Sequence, residues 1–344
     1  MHSTYALGLG VGVMLLASKG FAHARWLTIS LGAVWVILMV FFRIYGSGTH
    51  RVPLDATATK LRFFVMTYVL KNMYQGMLFF LLPFYWRSAT WGSSNQWFVV
   101  ALGICAFLAT LDVVFDHILM RWKVAASLFY LFTLFAATNL VIPALLPRTP
   151  VHGSLLAAAA VAHVAFWTLH MRPAALFRPL PLVGLLLTGA AATFGVHSAR
   201  RFIPPASLWV EHGGIGPSLL PDGRLAIEAS RMHVDVVAEL HCVADVAAPA
   251  GLGDALTHVW RHAGVEVYRR EDLPPEASGH QGIVRTRSNL LPAEVTLTPA
   301  GPWTVDILTP QGQLVGRLGF EVLAGPGPQK PRAERLADQE QHGT

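Results

Sequence analysis

Residues 124–146 read VAASLFYLFTLFAATNLVIPALL, a run without a single charged side chain. About 20 consecutive apolar residues in a helix cross a hydrocarbon layer of about 30 Å. Because the run reaches this length, we predict that it forms a membrane-spanning helix. Similar segments lie on both sides of it, so the run also indicates the fold of the surrounding sequence.

Hydropathy along residues 1–202 predicts an α-helical polytopic membrane bundle. The whole chain is 53% hydrophobic but only 13% charged, against about 25% charged in a typical soluble domain. This composition excludes a wholly soluble protein. About seven transmembrane helices are predicted, at residues 4–19, 26–45, 62–85, 97–119, 124–146, 152–171 and 179–198.

Charge divides the chain into two parts of opposite sign. Residues 1–202 hold 15 of the 26 Lys and Arg residues but only three of the 20 acidic residues, Asp55, Asp112 and Asp116. The first part is therefore positive and the remainder negative. The basic residues lie between apolar runs and form no continuous stripe, so nucleic-acid binding is not expected.

Loop charges predict an orientation, since Lys and Arg accumulate in the cytoplasmic loops of membrane proteins. The connections after the second, fourth and sixth predicted helices hold eight basic residues, whereas those after the first, third and fifth hold four. We therefore expect a cytoplasmic N-terminus and, after seven spans, a C-terminal region outside the cytoplasm. The lipid bilayer is the first expected partner.

A polar cluster inside the third and fourth predicted helices is the first candidate functional site. Lys71 and Asp112 each lie nine residues from a basic residue at the same membrane edge, which places both at a depth of about 13 Å. Polar side chains are costly in hydrocarbon and therefore face a bundle interior or a cavity. The other members of the cluster are Asn72, Gln75, Asp116, His117 and, on the sixth predicted helix, His163.

Two interpretations of this cluster stay open. In the first, Lys71 and Asp112 neutralise each other and lock two helices together. In the second, Asp116 and the adjacent His117 form a proton relay or a cation site. The histidines and carboxylates lack the HExxH or HxxxH spacing, so no metal site is predicted. No hydrolase, phosphate-binding or dinucleotide-binding signature occurs, and no cofactor is indicated.

Short alternating runs after residue 202 predict a small all-β domain. We expect a linker or first strand at 203–229, an antiparallel, immunoglobulin-like sandwich at 230–324 and a disordered tail at 325–344. Apolar and polar residues alternate at 234–242, which is typical of a strand with one buried and one exposed face.

Four short motifs in this region resemble a known family. They are His258–Arg261, Arg285–Ser288, Gly301–Val305 and Gly316–Val322. Their order is similar to that of a small C-terminal β domain of unknown function in uncharacterised bacterial membrane proteins, over about 230–323. The helical part, with its segment Leu81–Trp86, is similar to the multi-span regions that accompany this domain. The resemblance implies this architecture and a bacterial inner membrane, but no reaction.

Arginine and aromatic side chains of the β domain predict a binding surface. Guanidinium groups form paired hydrogen bonds with anions, and aromatic rings stack on flat partners. The expected partner is a glycan or an envelope protein. An alternative stays open, because alternation along the strand places Trp260 in the core and Arg261 in solvent. The candidate residues are His258, Trp260, Arg261, Arg285, Arg287 and Trp303.

Two functions follow from these observations. The leading hypothesis is a non-enzymatic bacterial inner-membrane protein that anchors a periplasmic β-sandwich used for binding, envelope assembly or sensing. The alternative is a transporter or intramembrane enzyme that uses Lys71, Asp112, Asp116 and His117. The surplus carboxylate favours the alternative, because a structural pair with Lys71 needs only one acid.

Replacing Asp112 and Asp116 separately by Asn tests the two interpretations of the cluster. If it is a relay, Asp116→Asn abolishes transport or phenotype at an unchanged yield of folded protein in detergent. If it is a structural pair, only Asp112→Asn lowers the yield, because Lys71 then loses the charge that offsets its burial. An Asp116→Asn variant with full activity would contradict the relay.

Overall fold

Helices occupy the first part of the chain and strands the last part. The computed structural model describes residues 30, 33–37, 39–40, 57–115, 119, 122–171, 173–234, 240–278, 280–290 and 300–324. The long helices are α1 (Thr57–Ser88), α2 (Gln96–Thr110), α3 (Lys123–Leu145), α4 (Val151–His170) and α5 (Pro179–Ser198). Shorter helical turns lie at Asp112–Val114, Pro173–Leu176 and Arg200–Phe202.

The prediction of seven transmembrane helices is wrong. Among the described residues, three helices are long and apolar enough to cross a membrane, namely α3, α4 and α5. α1 has 32 residues, but polar side chains such as Lys71, Asn72 and Gln75 lower its hydropathy. The predicted span 4–19 lies outside the described residues, and that at 26–45 is described only in part.

The predicted span at 97–119 is interrupted, because α2 ends after 15 residues. Leu111 takes an extended conformation with φ −85° and ψ 106°. Gln75 Nε2 of α1 donates a 2.8 Å hydrogen bond to the carbonyl oxygen of Ala109, a group that loses its helical partner where a helix ends. Hydropathy averaged over the whole run does not reveal this break, since the apolar residues on both sides of Leu111 outweigh Asp112 and Asp116.

α1 packs on both α2 and α3, α3 packs on α4, and α4 packs on α5. Tyr74 and Leu78 of α1 are fully buried among residues of α2 and α3. α4 and α5 approach closely at Gly184 and Gly189, where an added Cβ would lie 3.2 Å from Trp167 and His163, respectively. Gly184 and Gly189 of α5 thus face α4.

The β domain consists of two sheets. Its strands are β1 (Trp209–Gly216), β2 (Arg231–His233), β3 (Leu240–Ala247), β4 (Leu256–His262), β5 (Val265–Leu273), β6 (Glu276–Ala277), β7 (Ile283–Leu290), β8 (Gly301–Leu308) and β9 (Leu314–Leu323). One sheet has the order β1-β3-β7-β6 and the other the order β2-β9-β8-β4-β5.

The predicted antiparallel, immunoglobulin-like sandwich needs a correction, because β2 runs parallel to β9 and the second sheet is therefore mixed. Local alternation does not specify strand direction, and these two strands lie at opposite ends of the domain sequence. The two sheets nevertheless share one core. Trp260, Trp303 and Phe320 of the second sheet pack with Cys242 and Leu290 of the first.

Gly216, at the end of β1, provides a test of the close contact between this strand and the segment that contains Ile227. An added Cβ at Gly216 would overlap the carbonyl oxygen of Ile227, so Gly216→Ala forces the backbone apart. We expect a loss of about 1–3 kcal/mol in the free energy of unfolding, measured by denaturant titration in detergent. Gly319→Ala is the matched control, since its Cβ would meet only Trp303 O, at 4.0 Å. Equal stability of the two variants would contradict the close approach.

Candidate functional site

The ends of the helices and the β domain meet in a continuous contact, which we call the joint. On the helical side it comprises the α1–α2 connection (89–95), the α3–α4 connection (146–150) and the segment after α5 (199–206). On the other side it comprises the loop at 248–255 and the β8–β9 turn at 309–313.

The first residue of α4 is inserted into the β domain. Val151 is 4% exposed and packs in a cluster with β-domain residues such as Ala244, Leu256 and Ile307. Its N–H donates a 3.1 Å hydrogen bond to Asp254 Oδ2. A carboxylate at a helix N-terminus satisfies an unpaired N–H and interacts favourably with the helix dipole. The β domain thus supplies a cap to a transmembrane candidate helix.

The β8–β9 turn binds the other helix ends. Gln313 Nε2 donates to the carbonyl oxygen of Ile203 at 3.0 Å, and Arg200 Nε donates to that of Gln311 at 2.6 Å. Asn95 Nδ2, before α2, donates to the carbonyl oxygen of Leu314 at 3.1 Å. Since the Gln313 and Asn95 side chains are buried, these bonds hold the β domain in a defined orientation.

A buried polar network lies beneath the joint and connects three helices. Tyr85 Oη of α1 donates to the carbonyl oxygen of Ala136 at 2.8 Å, and Asn139 Nδ2 of α3 donates to Tyr85 Oη at 3.2 Å. Ser154 Oγ of α4 donates to Asn139 Oδ1 at 3.2 Å. Hydropathy alone does not indicate this network, although a single amide in the apolar run 124–146 is a usable signal.

Two histidines contact each other where α4 begins and α5 ends. The Nε2 atom of His152 and the Nδ1 atom of His197 are 3.2 Å apart, and the ring centroids are 5.0 Å apart in an edge-on arrangement. Arg200 Nη1 donates to the carbonyl oxygen of His197 at 2.7 Å. The pair therefore lies directly beside both Val151 and Arg200, which attach the helices to the β domain.

The predicted intramembrane cluster is visible only in part. Lys71 and Gln75 are buried in the helical core, whereas Asn72 Nδ2 donates to Tyr68 O of its own helix at 2.8 Å. Asp116 and His117 lie outside the described residues, as does the side chain of Asp112. The relay and the structural pair both stay predictions.

His163, the remaining member of this cluster, lies in the contact between α4 and α5. Its Nε2 donates a 2.9 Å hydrogen bond to the carbonyl oxygen of Leu185. A carbonyl oxygen only accepts, so Nε2 carries the proton in this arrangement. The observed bond therefore joins two helices.

Half of the predicted binding surface lies in the β-domain core. His258, Trp260 and Trp303 are at most 1% exposed. His258 Nδ1 lies 2.9 Å from Ser288 Oγ, and its Nε2 lies 3.0 Å from Thr286 Oγ1. Burial lowers the pKa of His258 to about 3, so its ring is neutral near pH 7. This serine–histidine contact is closed to solvent and so cannot meet a substrate.

The arginines of the predicted surface are already paired with carboxylates. Arg285 Nε and Nη2 donate to the two oxygens of Asp245 at 2.7 and 2.8 Å. Arg287 pairs with Glu276, and Arg261 Nε donates to Asp306 Oδ2 at 3.1 Å. Because their forked donors are occupied, the six predicted residues form no single open surface in this arrangement.

Clefts also occur away from the joint. A polar cleft of about 580 Å³ lies along β5 and β7, and an apolar cleft of about 610 Å³ lies between α3 and α4. β5 is a charged edge strand with a positive φ of 52° at Asp272, features that protect a sheet edge from pairing. Among the described residues, no group of three or more His, Cys, Asp or Glu side chains is arranged to hold a metal ion.

The fold and the joint together define the class of protein: a helical protein with candidate membrane spans and a β domain docked on the helix ends. Residues 1–237 match the family of unknown function DUF5924, so the chain belongs to that family. The prediction of an uncharacterised family is thereby confirmed. No curated protein matches the sequence.

The buried His258 should make the stability of the folded protein depend on pH. Its pKa is lowered in the folded protein, so below about pH 6.5 the unfolded chain binds a proton that the folded chain does not. Stability should therefore fall as the pH drops from about 6.5 towards 3, by at most about 1.4 kcal/mol per pH unit from this group. Denaturant titrations from pH 7 to 4 measure the effect.

His258→Asn is the control variant, because an amide can still bond to the hydroxyls but does not titrate. The difference in unfolding free energy between the two proteins should shrink as the pH falls. A difference that stays constant with pH would contradict the neutral, buried state of His258.

Proposed function

We propose that the protein is a membrane-anchored β-domain protein, in which α3, α4 and α5 insert into a bilayer and the joint presents the β domain at its surface. The observation that carries the proposal is α5. This helix has 20 residues and none of them is buried. Leu180, Leu187 and Phe194, for example, are 83%, 67% and 71% exposed. A surface of this kind is unfavourable in water and favourable in hydrocarbon.

Tryptophans support the same placement. Trp86, Trp91 and Trp97 are at least half exposed beside the α1–α2 connection, next to the joint, and Trp122 is 67% exposed at the opposite end, before α3. Tryptophan is enriched at both interfaces of a bilayer, where its ring meets the headgroups. The three tryptophans next to the joint and Trp122 thus fit the opposite surfaces of one membrane.

We further propose a bacterial inner membrane with a cytoplasmic N-terminus and a periplasmic β domain. The resemblance described above supports the bacterial inner membrane, and loop charge supports the orientation. On the joint side, the α1–α2 connection holds no basic residue and the α3–α4 connection holds one, Arg148, while Arg87 lies at the end of α1 and Arg200 and Arg201 follow α5. The connections on the opposite side hold more basic residues, as expected for the cytoplasmic side.

The joint favours a role in binding or sensing over simple anchoring. A flexible linker is sufficient to keep a domain near a membrane. Here buried hydrogen bonds and the inserted Val151 join the β domain to three helix ends. A glycan or protein that displaces the β domain will therefore move the helices, which is the coupling that a sensor needs.

A transporter or intramembrane enzyme is the second candidate function. The observation that favours it is Lys71, which is 5% exposed in the helical core. Ionisable residues at such positions are commonly functional. The Asp116→Asn variant described above distinguishes this candidate.

Two matched substitutions test membrane insertion. Leu187→Asp places a charge in the middle of α5, and Val265→Asp places one on a β-domain residue of equal exposure, 68% against 67%. In a bilayer we expect Leu187→Asp to cost about 3 kcal/mol and to reduce the protein that stays in membranes after carbonate extraction. Val265→Asp should have little effect.

Equal behaviour of the two variants would contradict the insertion of α5. A reporter fused after Leu323 tests orientation separately. A reporter that works only outside the cytoplasm should be active there. Activity of a cytoplasm-only reporter at the same site would contradict the periplasmic placement.

A further inference from the structure

We propose that the pair of His152 and His197 makes the docking of the β domain acid-sensitive, so that the joint holds while at least one ring is neutral and loosens when both are charged. This inference rests on the proposed function in one respect, that the β domain is docked on the helix ends. What it adds is that the docking of the β domain at the joint is regulated by pH.

The geometry of the pair limits how many protons it accepts. A hydrogen bond between Nε2 of His152 and Nδ1 of His197, 3.2 Å apart, needs a proton on one nitrogen and a lone pair on the other. When both rings are protonated, both nitrogens are donors and the bond is lost. Two positive charges then lie about 5 Å apart and repel each other.

The surroundings of His152 add a second cost. Its Nδ1 is buried and has no hydrogen-bond partner among the described residues. In the protonated ring this atom must carry a hydrogen, which leaves a buried donor without an acceptor. His152 also follows the first residue of α4, where the helix dipole disfavours a positive charge.

The charged groups facing the pair within the described chain are Arg200 and Asp254. Arg200 follows α5 and bonds to the carbonyl oxygen of His197, while Asp254 reaches from the β domain to the N–H of Val151. One carboxylate therefore faces a guanidinium and two imidazoles. The single negative charge does not offset all the positive charges, so a second proton on the pair is disfavoured as long as α4, α5 and the β domain stay together.

The pair is connected to both sides of the joint. His152 directly follows Val151, which is inserted into the β-domain core. The Arg200 side chain links the carbonyl oxygen of His197 to that of Gln311 in the β8–β9 turn. Moving the two rings apart therefore displaces the helix ends that carry the β domain.

The direction of the pH effect follows from these costs. A free imidazole takes up protons near pH 6.5, whereas a second proton on the docked pair costs the hydrogen bond between the rings and adds charge repulsion. Protons are therefore bound preferentially by the undocked state, and docking weakens as the pH falls. A tenfold difference in proton affinity between the undocked and the docked state changes the docking equilibrium about tenfold.

Hydrogen exchange of the full-length protein in nanodiscs tests the inference. The backbone N–H groups of Arg148 and Val151 bond to Ala250 O and Asp254 Oδ2 across the joint, so their exchange reports docking. After correction for intrinsic rates, we expect about tenfold less protection at pH 5.0 than at pH 7.5. In His197→Gln the loss of protection between pH 7.5 and pH 5.0 should be clearly smaller, since an amide keeps a hydrogen bond but adds no second positive charge beside His152.

His212→Gln is the matched control, because His212 is exposed on β1, and it should respond as the unmodified protein does. Equal protection of the unmodified protein at both pH values overturns the inference. So does an acid response of unchanged size in His197→Gln, which would assign it to groups other than the histidine pair, such as Asp254. If His197→Gln lowers protection at pH 7.5, His152→Gln decides by the same criterion. Low protection of the unmodified protein at pH 7.5 would instead contradict docking itself.

Discussion

The arrangement of this protein depends on the insertion of one helix end into a β domain. Val151 belongs to α4 by its backbone and to the β-domain core by its side chain. Its N–H is bonded to Asp254, so a group that a helix leaves unsatisfied at its start is satisfied by the other domain. Separating the domains exposes apolar surface and leaves this N–H and its acceptor unpaired. The two parts therefore behave as one body at this point.

The helices beneath the joint are held by polar contacts as well as by apolar packing. Under the proposed insertion, apolar side chains gain little from leaving lipid for one another, so hydrogen bonds and close packing specify how the helices associate. Tyr85, Asn139 and Ser154 provide such bonds between α1, α3 and α4. Gly184 and Gly189 provide the close approach of α5 to α4. The resulting bundle presents fixed helix ends to the β domain.

Much of the architecture was predictable, and the errors have identifiable causes. The apolar runs at 124–146, 152–171 and 179–198 coincide with α3, α4 and α5 to within one residue at each end. The span at 97–119 failed because composition does not show that Leu111 is extended and ends α2. The mixed sheet was missed because strand alternation carries no information about direction. In the candidate site, Trp260 lies in the core as expected, but Val259, expected on the opposite face with Arg261, is fully buried as well, so the strand does not alternate.

The sequence by itself determined the apolar helices, the division of charge and the presence of a β domain, because these follow from local composition and periodicity. Only the tertiary structure decided the joint, since His152 and His197, or Val151 and Asp254, are far apart in the chain and meet through packing. It also decided that Arg285 and Arg287 are bonded to carboxylates on neighbouring strands. Pairing of this kind depends on strand register, which single-residue patterns leave open.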